Sequence, residues 1–171
     1  MSFDEFTRKR LFEPLGMKNT AYRTDLREIV KNRALAYDKG RNGWRMAMQL
    51  DNDRGGGGAL LSTAADLIIW NDSLTSSRLG PFVTEKLHEP AKLNSGRKLS
   101  YSRGLFADTI RGSQFWWHGG SADGYKSVLG RFPEQGLSIA IMCNSGDDTN
   151  RTAFARRIFE LYVPATGAQD A

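Results

Sequence analysis

At 171 residues, 40% hydrophobic and 11% aromatic, the chain has the size and composition of one globular domain able to bury a core. Its formal net charge of +5 comes from 24 basic and 19 acidic residues interleaved along the chain, with no basic run longer than Arg8-Lys9-Arg10, so no nucleic-acid partner is expected. No apolar run reaches the ~20 residues of a membrane span, and the opening MSFDEFTRKR lacks the apolar centre of a signal peptide.

In chain order, Ser2 with Glu5 three residues on forms a capping box, and Phe3, Phe6 and Leu11 give an apolar face. A first helix is predicted over Ser2–Phe12, stopped at EPLGM. RALAYDKGRNGWRMAMQL alternates on either side of Gly40–Gly43 and reads as a short hairpin. In LSTAADLIIWNDSL, Ser62 and Thr63 are cap candidates, and Leu67, Trp70 and Leu74 share one helical face. A shorter helix follows from Pro81 in its first turn to His88, ended by Pro90. After Leu99 the texture changes. SYSRGLFADTI, SQFWWHGG, GYKSVLGRF and LSIAIMCN are strand-like segments joined by short turns such as RGS and PEQG, which predicts an antiparallel meander. TAFARRIFELYV then closes the chain as an amphipathic helix with Phe154, Ile158, Leu161 and Tyr162 on one side. The fold class is therefore α+β: a mainly helical segment with a hairpin over 1–98, an antiparallel sheet with a packed C-terminal helix over 99–163, and a tail over 164–171.

Three features invite chemistry and two of them decline it. RGGGGALLS, Arg54 to Ser62, has the glycines of a phosphate loop but neither the Gly-Lys-Ser/Thr ending nor a strand leading into it, and reads as a pliable turn near a cleft. Ser95-Gly96-Arg97-Lys98 has the Ser-x-x-Lys spacing of acyl-transfer enzymes. That chemistry needs serine and lysine one helical turn apart, and here the tetrapeptide lies in the polar loop KLNSGRKLS before a strand. Tyr-x-Asn and Ser-x-Asn occur nowhere in the chain. The single cysteine, Cys143, lies in LSIAIMCN and reads as a small hydrophobe on a strand. The third feature is FWWHGGSADGYKS, which sets His118, one of two histidines, between two tryptophans and two glycines. On residue chemistry alone, His118 reads equally as a core-edge histidine packed by Trp116 and Trp117 or as a cleft residue.

The order FEPLGMKNT, GGGGALLSTAADLIIW, WHGGSADGYKS, FPEQGLSIAIMCN resembles the C-terminal half of the serine beta-lactamase and penicillin-recognising hydrolases, in their class C and esterase branch, over residues 2 to about 162. Such proteins are serine acyl-transferases with a Ser-x-x-Lys nucleophile, a Tyr-x-Asn element and a third Lys-Thr-Gly or His-x-Gly element. Only the third has a counterpart here, His118-Gly119-Gly120. The resemblance implies that His118 lines the cleft, that Gly120 and the Ser121 amide form half of an oxyanion hole, and that Gly119 and Trp117 contact substrate. It also implies a small-molecule amide or ester substrate, no metal or organic cofactor, and an exported or periplasmic location. Histidine in place of lysine at position 118 leans toward an esterase or D-amino-acid peptidase, because a lysine there would supply a permanent charge for a substrate carboxylate. Lacking a nucleophile, the chain is expected to be a C-terminal segment, inactive alone and prone to self-association through the exposed edge of Leu137–Asn144. The alternative is a non-catalytic binding or scaffold protein derived from the same fold.

Overall fold

The computed structural model describes residues 1–25, 27–47, 58–147 and 149–163. The quadruple glycine up to Gly57, the end of the RALAYDKGRNGWRMAMQL segment, and the tail over 164–171 lie outside the described residues.

The chain opens with one continuous helical run: α1 (Phe3–Thr7), a π-helical stretch over Arg8–Phe12, and α2 (Glu13–Leu15). The Ser2 hydroxyl accepts from the Glu5 amide, as the capping box predicts, and Gly16 ends the run in the left-handed region at φ 82°. The buried face differs from the expected one. Thr7, Phe12 and Leu15 are buried, whereas Phe3 and Phe6 remain exposed, and it is Phe12 and Leu15 that pack with Ile69, Trp70 and Leu79.

Strand β1 (Ala21–Tyr22) pairs with β4 (Leu60–Leu61), and β2 (Tyr37–Gly40) pairs with β3 (Gly43–Met46) as the predicted hairpin. Helix α3 (Ala64–Thr75) starts at Thr63, whose hydroxyl accepts from the Asp66 amide. Asp66 is itself 4% exposed, and its carboxylate accepts from Thr20 Oγ1 at 2.7 Å and the Asn19 amide at 2.8 Å, which ties the first helical run to α3. Helix α4 (Pro81–His88) has proline in its first turn, as expected.

The second half is a meander of β5 (Phe106–Ile110), β6 (Ser113–Ala122), β7 (Tyr125–Phe132) and β8 (Leu137–Cys143), paired antiparallel in that order and followed by α5 (Arg151–Tyr162). Arg111-Gly112 and Asp123-Gly124 form two-residue turns with positive φ at both positions, the geometry that matches strand twist. The first strand is shorter than the SYSRGLFADTI segment suggests. A turn at Gly104 (φ 80°), closed by the Ser102 amide on the Leu105 carbonyl, folds Tyr101 back beside Phe106.

One face of the sheet carries Phe115, Val128, Phe132 and Ile139, which pack with Ala155 and Phe159 of α5. The Phe132 and Phe159 rings stack at 3.8 Å between centroids. Gly130 admits this packing: a Cβ there would lie 2.4 Å from the Phe115 ring. On α5 the expected apolar side meets the core only at Ile158. Ala155 and Phe159 are buried, while Phe154, Leu161 and Tyr162 stay exposed. The helix carries two apolar stripes, and the sheet takes the one that the wider run of large side chains obscures. The opposite face of the sheet meets α3, where Asn71 Nδ2 donates to the Gly130 carbonyl at 2.9 Å and Ser138 Oγ donates to Asp72 at 3.0 Å. Among the described residues no helix is long and apolar enough to cross a membrane.

Candidate functional site

The site is built on the second half of β6. Strand β5 pairs with β6 only from Ser113 to Trp117, whereas β7 pairs with it from Trp116 to Ala122. Among the described residues, His118 to Ala122 therefore have a strand on one side only. Backbone donors and acceptors on the other side face an open edge, and an extended polypeptide or acyl group can address them. His118, Gly120 and Ser121 are all exposed, so the described residues supply one wall of a site.

Alternation along the strand sorts its side chains. Phe115 is buried in the α5-facing core, and Trp117 packs against the same cluster. The Trp117 indole donates to Asp108 Oδ2 at 3.0 Å and stacks on Phe106 at 4.9 Å. Trp117, expected to contact substrate, is thus committed to the core side and to Asp108. Trp116 points the other way, toward His88, with ring centroids 4.4 Å apart.

His118 is held by a neighbour that its own sequence context does not announce. Its Nδ1–H donates to the Gly119 carbonyl at 2.6 Å, which leaves the Nε2 lone pair to accept from the Tyr101 hydroxyl at 3.2 Å. The ring also stacks on Phe106, 5.4 Å away and 26° from parallel. Tyr101 and Phe106 together fix the imidazole plane, and the turn at Gly104 is what brings Tyr101 there. Gly120 lies opposite Ser127, and a Cβ at 120 would come within 2.5 Å of the Ser127 hydroxyl. Gly119 has only ordinary contacts around such an added atom. Across the ladder, Lys126 Nζ donates to Ser121 Oγ at 2.7 Å, so the Ser121 hydroxyl already has a cationic partner.

Beside this wall lies a second polar cluster. Arg131 is 1% exposed, and among the described residues its Nε and Nη1 have no hydrogen-bond partner. Its remaining Nη2 donates to His88 Nε2 of α4. Burial lowers the Arg131 pKa to about 10, which leaves it charged near neutral pH. His88 is pushed below its usual value first by burial and then by the Arg131 charge, so it is held neutral.

The Ser-x-x-Lys spacing and the single cysteine both lie within the described residues. Ser95 to Lys98 form a tight turn in which Gly96 sits at φ 83° and the Leu93 amide donates to the Arg97 carbonyl. Lys98 is bridged to Lys92 and is not one helical turn above Ser95. Cys143 is a free, half-buried thiol at the end of β8.

The beta-lactamase family model matches residues 1–162. The octameric penicillin-binding protein homologue from Pyrococcus abyssi superposes with a TM-score of 0.81 at 23% identity, over 94% of this chain and 37% of its own. A D-stereospecific amidohydrolase from Streptomyces sp. gives 0.71 at 21% identity, over 97% of this chain and 49% of its own. The D-amino acid amidase from Ochrobactrum anthropi SV3 gives 0.68 at 19% identity, over 94% and 53% respectively. Among curated proteins none matches the sequence. The chain spans about half or less of these solved structures, and likeness at such identities shows the fold. The family-model match over nearly the whole sequence places this chain in the beta-lactamase family.

Proposed function

We propose that this chain is the C-terminal part of a serine hydrolase that opens an amide or ester through an acyl-serine intermediate, of the esterase or D-amino-acid peptidase kind, with the His118–Ala122 edge as one wall of its cleft. The observation that carries this reading is the open backbone edge beside an oriented histidine. In the proposed reaction, a serine hydroxyl from the completing half attacks the substrate carbonyl, and the Ser121 amide N–H stabilises the oxyanion as the C–O or C–N bond breaks. His118, whose Nδ1–H donates to the Gly119 carbonyl, offers Nε2 and the Tyr101 hydroxyl as a path that carries the serine's proton to the leaving group. Water then hydrolyses the acyl-serine. The amidases among the similar structures support the substrate class, and an exported location follows from the resemblance alone.

The turn over Ser95–Lys98 favours a second reading, a non-catalytic binding or scaffold protein, because it leaves this chain without its own activated serine. Purified chain should show no turnover of a p-nitrophenyl ester or a penicillin and no adduct with a fluorophosphonate probe; an adduct mapped to Ser95 would overturn the assignment of that segment as a turn. In a full-length version carrying Ser-x-x-Lys, His118→Ala should lower kcat at least ~10-fold, the low end of the ~10²–10⁴ that a proton-transfer group supplies. Unchanged kcat with a folded variant would remove His118 from the proton path, and no turnover by the folded full-length parent would favour the binding reading.

A further inference from the structure

Arg131 is the most deeply buried charge among the described residues, at 1% exposure against 4% for Asp66 and 6% for Arg151. It leaves β7 between Trp116 of β6 and Ser138 of β8, on the face away from α5, and α4 reaches it through His88. Even with its pKa lowered by burial to about 10, it stays charged near neutral pH.

Only one of its nitrogens is satisfied. Nη2 donates to His88 Nε2, which leaves Nε–H and Nη1–H buried with no acceptor among the described residues. One turn before His88, on the same face of α4, the Thr84 hydroxyl is buried without a partner as well. Three polar atoms able to donate thus meet at one layer boundary. The carboxylates of the neighbouring elements pair elsewhere: Asp72 of α3 accepts from Ser138, Glu89 after α4 takes Lys86 and Arg103, and Glu85 of α4 is exposed. A buried cation in this state is unfavourable by several kcal/mol until something complements it. Water would accept from the N–H groups but would leave the charge uncompensated; an anion does both. The chain's own residues cover these atoms, so their condition does not depend on which segment completes the sheet. No residue of α4 is buried, and the helix can lift over Arg131 without emptying a packed core.

We propose that a single halide-sized anion, chloride in ordinary salt, binds between β7 and α4, accepting from Arg131 and the Thr84 hydroxyl and clamping α4 to the sheet. A monatomic ion suits a place closed to solvent, because it needs no orientation and little room. Trp116, packed on His88, stands two residues before His118, so the clamp braces the strand behind the open edge.

The test is thermal unfolding of the full chain at constant ionic strength, with sodium chloride replaced stepwise by sodium gluconate. Chloride severalfold above its dissociation constant should raise Tm by about 2–4 °C. Thr84→Val should weaken chloride binding at least ~10-fold, as loss of a hydrogen bond to a charged group does, and Arg131→Met should abolish the rise. Arg41→Gln in the distant hairpin turn and Asp72→Asn should both keep it. Should Arg131→Met fail to fold, the parent and Thr84→Val still decide: the chloride NMR line should broaden with the parent, sharpen on adding bromide, and broaden less with Thr84→Val. No rise in the parent would leave a buried water as the partner and overturn the anion. A rise that survives Arg131→Met or is matched in Thr84→Val would be a general salt effect, and a rise lost in Asp72→Asn would move the site to α3; either result sinks the proposal.

Discussion

Strand β6 holds two regions under opposite constraints. Its first half, Ser113 to Trp117, pairs with β5 throughout and with β7 as well at Trp116 and Trp117, and it plants Phe115 at zero exposure in the α5-facing core against Phe132. Its second half, His118 to Ala122, is paired on one side, exposed, and carries two adjacent glycines. The same backbone thus changes from structural member to presenting surface within one residue step, where β5 begins at Phe106 opposite Trp117. The rigid half fixes the position of the open half, and neither needs a separate loop to hold it.

Substitution should separate the two halves sharply. Phe115→Ala empties a fully packed site and should cost about 3–5 kcal/mol of unfolding free energy, measured by urea titration; a loss below ~1 kcal/mol would mean that the first half is not the anchor. An intermediate effect is expected at His88, which braces α4 against Trp116 and Arg131 beside the open half. Its pKa in the fold is lowered from 6.5, so the unfolded chain binds the extra proton more readily. That contribution is fully present above the unfolded value and is lost as pH falls from about 6.5 through the folded pKa. Urea titrations across this window should show stability falling toward acid, and His88→Gln should flatten the slope; an unchanged slope would show that another group titrates there. The smallest effect belongs to His118→Ala in the open half, expected within about 0.5 kcal/mol of the parent by the same titration. A loss of several kcal/mol would make His118 a packing residue and dissolve the contrast.

Much of this arrangement is written locally. Thr63 with Asp66, Pro81, and the Arg111-Gly112 and Asp123-Gly124 turns place two helix starts and two hairpins with residues that act within their own few positions. The meander and the placement of His118-Gly119-Gly120 on a strand follow from them. What escapes is decided by contacts between distant segments. The buried side of α5 is Ala155 and Phe159, not Phe154 and Leu161, because Phe132 and Ile139 offer a partner to one stripe only. Trp117 reads as a cleft aromatic until Asp108, nine residues away, claims its indole. Tyr101 reaches His118 only through the Gly104 turn, and a strand prediction straight through that turn hides the pairing. Arg131 breaks the expectation that arginine stays outside. Alternation in VLGRF puts Arg131 opposite Val128 and Phe132, away from the α5-facing core, and it is His88 of α4, 43 residues away, that meets it.

The short connections of the meander also set an order of assembly. Two-residue turns join β5 to β6 and β6 to β7, and a tight turn over Pro133–Gln135 joins β7 to β8, so little chain entropy is lost in closing each hairpin. Pairings of such low sequence separation form quickly. The bonds from Asn71 to Gly130 and from Asp72 to Ser138, by contrast, span 59 and 66 residues and must wait for α3 to arrive. The presenting strand with its histidine and glycines can therefore be complete while the helical layer is still searching, which makes the wall of the site a folding template for the layer that later braces it.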